Sequence, residues 1–258
     1  MLSHPLLPKL RELRLSGMTE TLEERSELAR EQNLTPVEFL ALLIDDEIER
    51  RHQKKRKRME RTAGFESLKM LSQFDFAATP TLDKSVVLEM AACRFILEKE
   101  NWLICGPTGV GKSHLATAIG YEAIKRDLRV LSYPTHRLLT ELFAARADGT
   151  YPRYMHKIIT ADLLILDDFG LRPITVQGAE DLYEVVHQRY ERGSIILTSN
   201  RSPSEWPELF GDSLLASAAL DRLTHHARVT IITGESYRQI ERRKGAMEAQ
   251  AKSEIKEE

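Results

Sequence analysis

Gly106-Pro107-Thr108-Gly109-Val110-Gly111-Lys112-Ser113 is a glycine-rich octapeptide ending in a lysine and a hydroxyl. Glycines let successive backbone N–H groups curl around phosphate oxygens, and a helix that follows offers its positive N-terminus. In this pattern Lys112 reaches the β- and γ-phosphates, and the Ser113 hydroxyl ligates Mg²⁺. The apolar run Trp102-Leu103-Ile104-Cys105 precedes the loop, and the helix-prone His114-Leu115-Ala116-Thr117-Ala118 follows it. Gly106 to His114 are therefore candidate contacts for a nucleoside triphosphate, with ATP the first choice.

Binding alone hydrolyses nothing; an acid for the metal and a base for the water are also needed. About 55 residues after the loop, Leu163-Leu164-Ile165-Leu166 leads into Asp167-Asp168. Four apolar residues read as a buried strand, and the acids fall at its carboxyl end, where α/β sites lie. Asp167 is the candidate for the Mg²⁺ hydration shell, and Asp168 for polarising the attacking water. A further apolar run, Ile195-Ile196-Leu197-Thr198-Ser199, ends at Asn200, whose amide could sense the γ-phosphate or the lytic water.

These residues need a scaffold. From about Thr62, apolar β-rich runs alternate with helical stretches: Asn101–Cys105, Arg129–Tyr133, Asp162–Asp167, Ser194–Ser199 and Arg228–Thr233. The alternation predicts an α/β domain over residues 62–240 around a mostly parallel five-stranded sheet. Residues 1–61 read as a small all-α domain. Leu10, Leu13, Leu15, Met18, Leu22 and Leu28 have helical spacing, with an end expected near Gln32-Asn33. Thr35-Pro36-Val37-Glu38 then starts a second helix with a capping box, and Val37, Leu40, Leu43, Ile44 and Ile48 share one face. Residues 241–258 form a charged tail.

The chain has 258 residues and a net charge of −2, yet its cations are concentrated. Arg50, Arg51, Lys54, Lys55, Arg56, Lys57, Arg58 and Arg61 lie in one stretch, opposed within it by Glu60. Such a run continues the second helix and is the candidate surface for DNA phosphates. No pattern for reading bases is evident, so duplex binding is expected to be largely sequence-independent. Cys93 and Cys105 lack metal spacing and read as reduced core thiols of a cytoplasmic protein. No run approaches the roughly 20 apolar residues of a membrane helix.

Together the strand, the phosphate loop, the Asp-Asp strand and Thr198-Ser199-Asn200 resemble an AAA+ ATPase of the initiator and helicase-loader clade. Phe74-Asp75-Phe76, Glu191-Arg192, Glu205-Trp206, Phe210-Gly211-Asp212, Leu220-Asp221-Arg222-Leu223, His225-His226 and Gly234-Glu235-Ser236-Tyr237-Arg238 sharpen this to the IstB family of insertion-sequence helper proteins. The resemblance implies a P-loop three-layer sandwich and a homo-oligomer on target DNA that engages the transposase of the same element. It also implies ATP bound between subunits, with Arg222 reaching a neighbour's nucleotide as an arginine finger. Arg238 is implied to contact nucleotide within its own subunit. Arg189 and Arg192 read as solvated charges at a helix end. Twenty residues follow Arg238, too few for a full helical lid, so none is expected. The runner-up reading is a replicative helicase loader of the DnaC kind, with a similar ATPase core and a different N-terminal partner. A third is an architectural DNA-binding protein that uses ATP only to oligomerise, against which the Asp167-Asp168 pair argues.

Overall fold

The structure, a computed structural model, describes residues 5–237 and 239. The chain divides into two compact units with the boundary between Met59 and Glu60. Arg238 and the tail from 241 onward lie outside the described residues.

The first unit is helical. Where a single helix was expected there are two, α1 (Leu7–Glu12) and α2 (Ser16–Glu31). The break falls at Arg14, whose φ of 57° is left-handed and incompatible with a continuing helix. Helix α3 (Pro36–Ala63) begins at the anticipated capping box, in which Glu38 Oε2 accepts from the Thr35 N–H at 2.7 Å. Helices α2 and α3 run antiparallel. The Gly17 N–H donates to Glu47 Oε2 at 2.6 Å, and Arg25 grips both oxygens of Asp46 at 2.8 Å. Gly17 permits this approach, since a Cβ there would lie 2.6 Å from the Asp46 carbonyl oxygen. Of the expected apolar face only Leu43 is buried, whereas Val37, Leu40, Ile44 and Ile48 are exposed.

The second unit is an α/β sandwich. Its strands are β1 (Asn101–Cys105), β2 (Val130–Pro134), β3 (Leu163–Phe169), β4 (Ser194–Ser199) and β5 (Ala227–Ile231). They form one sheet in the order β2-β3-β4-β1-β5, and every pairing is parallel. Both faces are covered, which is why β1 and β4 are buried throughout and read as unbroken apolar runs rather than alternating ones. Helices α4 (Lys84–Ala91) and α5 (Arg94–Leu97) precede β1, and α6 (Lys112–Lys125) follows it. On the α6 side, Gly120 brings the helix against Ile165. On the other side, Leu103, Leu164, Leu166, Ile195 and Leu197 pack with residues of α7 (Thr135–Ala147), α8 (Tyr151–Ile159), α9 (Val176–Arg189) and α10 (Ser213–Thr224). No helix among the described residues is long and apolar enough to cross a membrane.

Arg189 corrects the expectation of a solvated helix end. It is 1% exposed, and its guanidinium donates to the carbonyls of Ile158 (2.6 Å), Ala161 (2.9 Å) and Ser194 (2.7 Å). These acceptors come from the end of α8 and the start of β4. Burial pushes its pKa down to about 10, so it remains a cation that pins two elements together. Arg192 is exposed, as expected.

Candidate nucleotide site

All the residues assigned to nucleotide chemistry in the described chain, except Arg222, gather at the carboxyl ends of β1, β3 and β4. The loop leaves β1 at Gly106, whose N–H donates to the Ser199 carbonyl at the end of β4 (3.1 Å). Gly106 has φ 149°, and a Cβ there would meet the Ile232 carbonyl oxygen at 2.1 Å. Only glycine therefore fits where the chain leaving β5 crosses over the loop. Farther along, the Tyr237 N–H donates to the Gly109 carbonyl at 3.0 Å. Helix α6 starts at Lys112, and its first N–H groups have no partner within the helix, which leaves them for an anion.

Lys112 is 6% exposed, with Nζ donating to the carbonyls of Gly106 and Pro107, both at 2.8 Å. Burial lowers its pKa, and the charges of Asp168 and Asp167 oppose that fall. An ammonium held in this way by weak neutral acceptors gains from exchanging them for phosphate oxygens.

The Ser113 hydroxyl donates to Asp167 Oδ1 at 2.9 Å. Two hard oxygen donors at this separation suit Mg²⁺ rather than a softer metal. The Thr198 hydroxyl also donates to Asp167 Oδ1, and it accepts from the Asp168 N–H at 3.1 Å. Sequence reasoning gave Thr198 no role beyond its strand. Its hydroxyl two residues before Asn200, at the end of an apolar strand, was the available signal. Asp168 lies where the β3–β4 register shifts between Leu166 and Phe169, at φ 53°. Left-handed backbone at a non-glycine costs roughly 1–2 kcal/mol. Asp168 is solvent-exposed, yet its pKa is raised, first by partial desolvation and then by the Asp167 charge, against the lowering by Lys112.

Asn200 is exposed and follows directly on the Ser199 carbonyl that the phosphate loop binds. The Ser199 hydroxyl donates to the Phe169 carbonyl (2.8 Å) and accepts from Trp206 Nε1 (3.3 Å). Trp206 is fully buried with its ring edge-on to Phe169, 5.0 Å between centroids. The Trp206 and Phe210 motifs therefore brace the ends of β3 and β4 from behind. On the opposite side, Phe74 packs over Gly111 and meets His114 edge-on at 5.3 Å.

Arg222 is elsewhere. Asn101, the first residue of β1, donates through Nδ2 to the Leu223 carbonyl at 3.0 Å. The last turn of α10 is thus fixed at the amino end of β1, about 15 Å of strand away from the phosphate loop. Arg222 is not paired with Asp221; it donates to the Ala218 carbonyl (2.8 Å) and lies over the Tyr183 ring (5.7 Å).

The family described as "IstB-like ATP binding protein" matches residues 8–245. A Pseudomonas aeruginosa protein named for insertion sequence IS21 and ATP binding is 38% identical over 244 residues, covering 95% of this chain and 92% of that one. The chain belongs to the IstB-like ATP-binding protein family. A Geobacillus stearothermophilus relative named for insertion sequence IS5376 is 37% identical and covers 90% of this chain and 92% of its own length. Among solved structures, DnaI superposes with a TM-score of 0.55 at 22% identity, covering 64% of this chain and 91% of that one. AMPPCP-bound DnaA from Aquifex aeolicus gives 0.53 at 24% identity, covering 66% and 51%. These two likenesses establish the AAA+ P-loop fold of the second unit.

The basic run lies on α3 as expected, but it is less naked than its sequence. Arg50 pairs with Glu20 (2.7 Å), Arg51 with Glu47 (2.7 Å) and Arg56 with Glu49 (3.1 Å). The acids come from earlier turns of α3 and from α2, outside the basic stretch itself. Lys54, Lys55, Lys57, Arg58 and Arg61 are exposed.

Proposed function

We propose that this protein hydrolyses ATP at sites shared between subunits and assembles on duplex DNA to assist a transposase. The observation that carries the reading is the separation of Arg222 from its own phosphate loop. An arginine at the amino end of β1 cannot reach a γ-phosphate held at the carboxyl end, whereas a neighbouring copy's nucleotide is open to it. In this reading the loop N–H groups and Lys112 hold the triphosphate, and Ser113 with Asp167 holds Mg²⁺. The ion, when bound, neutralises charge shared by the β- and γ-phosphates. Asp168 accepts a hydrogen bond from the attacking water, Asn200 orients that water, and bond cleavage releases ADP and phosphate. The neighbour's Arg222 stabilises charge on the transferring group.

The insertion-sequence names of the relatives support transposition as the setting, and the basic face of α3 supports duplex DNA as the platform. The experiment is subunit mixing. Arg222→Ala and Asp168→Asn proteins, each inactive alone, regain part of the ATPase activity when mixed, because some interfaces pair one intact half from each. No recovery from oligomers shown to be mixed overturns the trans arrangement.

A further inference from the structure

Three side chains outside the nucleotide site converge at the amino end of the sheet. Ligand atoms of Glu191, His225 and His226 lie within 4.8 Å of one another, and all three residues are exposed. Each comes from a fixed piece of backbone. His225 closes α10, with its N–H donating to the Asp221 carbonyl at 2.9 Å. His226 takes φ 54°, and its carbonyl accepts from the Asn101 N–H at 3.1 Å. Glu191 takes φ 57° in the turn between α9 and β4, where buried Arg189 holds the Ser194 carbonyl.

The two imidazoles are 3.8 Å apart between centroids. The Tyr190 hydroxyl hydrogen-bonds His225 Nδ1 at 2.8 Å, the kind of outer contact that fixes the orientation of a ligating ring. Two imidazoles and a carboxylate held this close form a ligand set for a cation. Imidazole donors favour zinc-class ions over Mg²⁺ or Ca²⁺, and three protein ligands leave a coordination position open. We propose that Glu191, His225 and His226 bind a divalent transition-metal ion of the zinc class, with Tyr190 orienting His225. Lys99 and Arg222 line the same recess, and their charge holds the affinity below that of a closed structural zinc site. Because His225 caps the helix carrying Arg222, the ion ties the end of α10 to the α9–β4 turn and limits the travel of that arginine.

The proposal does not depend on ATP hydrolysis and is tested without nucleotide. The full chain is titrated with Zn²⁺ by calorimetry and with Co²⁺ by visible absorption. Saturable uptake is expected, together with the intense cobalt bands of a four- or five-coordinate ion. Glu191→Gln and His226→Ala each weaken binding at least about tenfold, and Tyr190→Phe does so by about tenfold. Circular dichroism confirms the fold of each variant, and Glu191→Gln, an isosteric change at an exposed site, carries the test if the alanine variant unfolds. Equal zinc uptake by the parent and the folded variants, or cobalt bands of only six-coordinate strength, overturns the proposal.

Discussion

The two ends of β1 carry opposite kinds of machinery. At the carboxyl end, polar groups are tied to one another: Lys112 to its own loop, Ser113 and Thr198 to Asp167, and the Asp168 N–H to Thr198. At the amino end, Arg222 holds one carbonyl and an aromatic face, beside the exposed histidines. The first end is preorganised, so it can bind a ligand within one chain. The second holds Arg222 on a main-chain carbonyl and an aromatic face, in a recess that Glu191 also lines.

The sharpest way to break this contrast is Arg222→Ala. An arginine finger contributes about 10³-fold or more to kcat, so turnover should fall by that order while ATP affinity measured by calorimetry stays unchanged. A loss of affinity of the same size places Arg222 in its own subunit's site and ends the distinction. Lys112→Ala should do the reverse. Charged hydrogen bonds are worth about 1.5–3 kcal/mol, so ATP binding should weaken about 10- to 100-fold. Unchanged affinity removes Lys112 from the phosphates.

Duplex binding offers a contrast in sensitivity to salt. Replacing exposed Lys54, Lys55, Lys57 and Arg58 with glutamine should flatten the slope of log affinity against log salt by about 3–4, without altering ATP affinity. An unchanged slope puts the DNA surface elsewhere. The smallest effect concerns pH. Asp168 acts as its carboxylate, and its pKa is raised by desolvation and by Asp167. The kcat/KM profile should therefore fall on the acid side through a pKa above the ordinary carboxylate value and be flat above it. A limb at or below the ordinary value means that Asp168 is not the titrating base.

How much was legible follows from how local each signal is. The phosphate loop and Asp167-Asp168 were readable because each is a contiguous segment whose residues act together. Strands β1, β3 and β4 were readable because strands buried on both faces leave long apolar runs, as at Leu163–Leu166. The end of α2 at Gln32 and the capping box at Thr35 were readable because caps are satisfied within a few residues. The break at Arg14 was not, since leucine spacing continues across it while the backbone reverses sign. Nor was the burial of Arg189, because its acceptors are main-chain carbonyls up to 31 residues away and carry no side-chain signature.

The sequence by itself determined that a triphosphate loop, an acidic strand end and a basic helix exist, and through its motifs it determined the family. Periodicity and contiguous spacing are short-range properties, and those features need nothing more. Only the tertiary structure decided which end of the sheet each group occupies and what it faces there. It moved Arg222 a strand's length from its own phosphate loop. It also brought Glu191 to His225 and His226 across more than thirty residues of chain. Those outcomes depend on how parallel crossovers return the chain, and hydrogen bonds between distant backbone segments fix them.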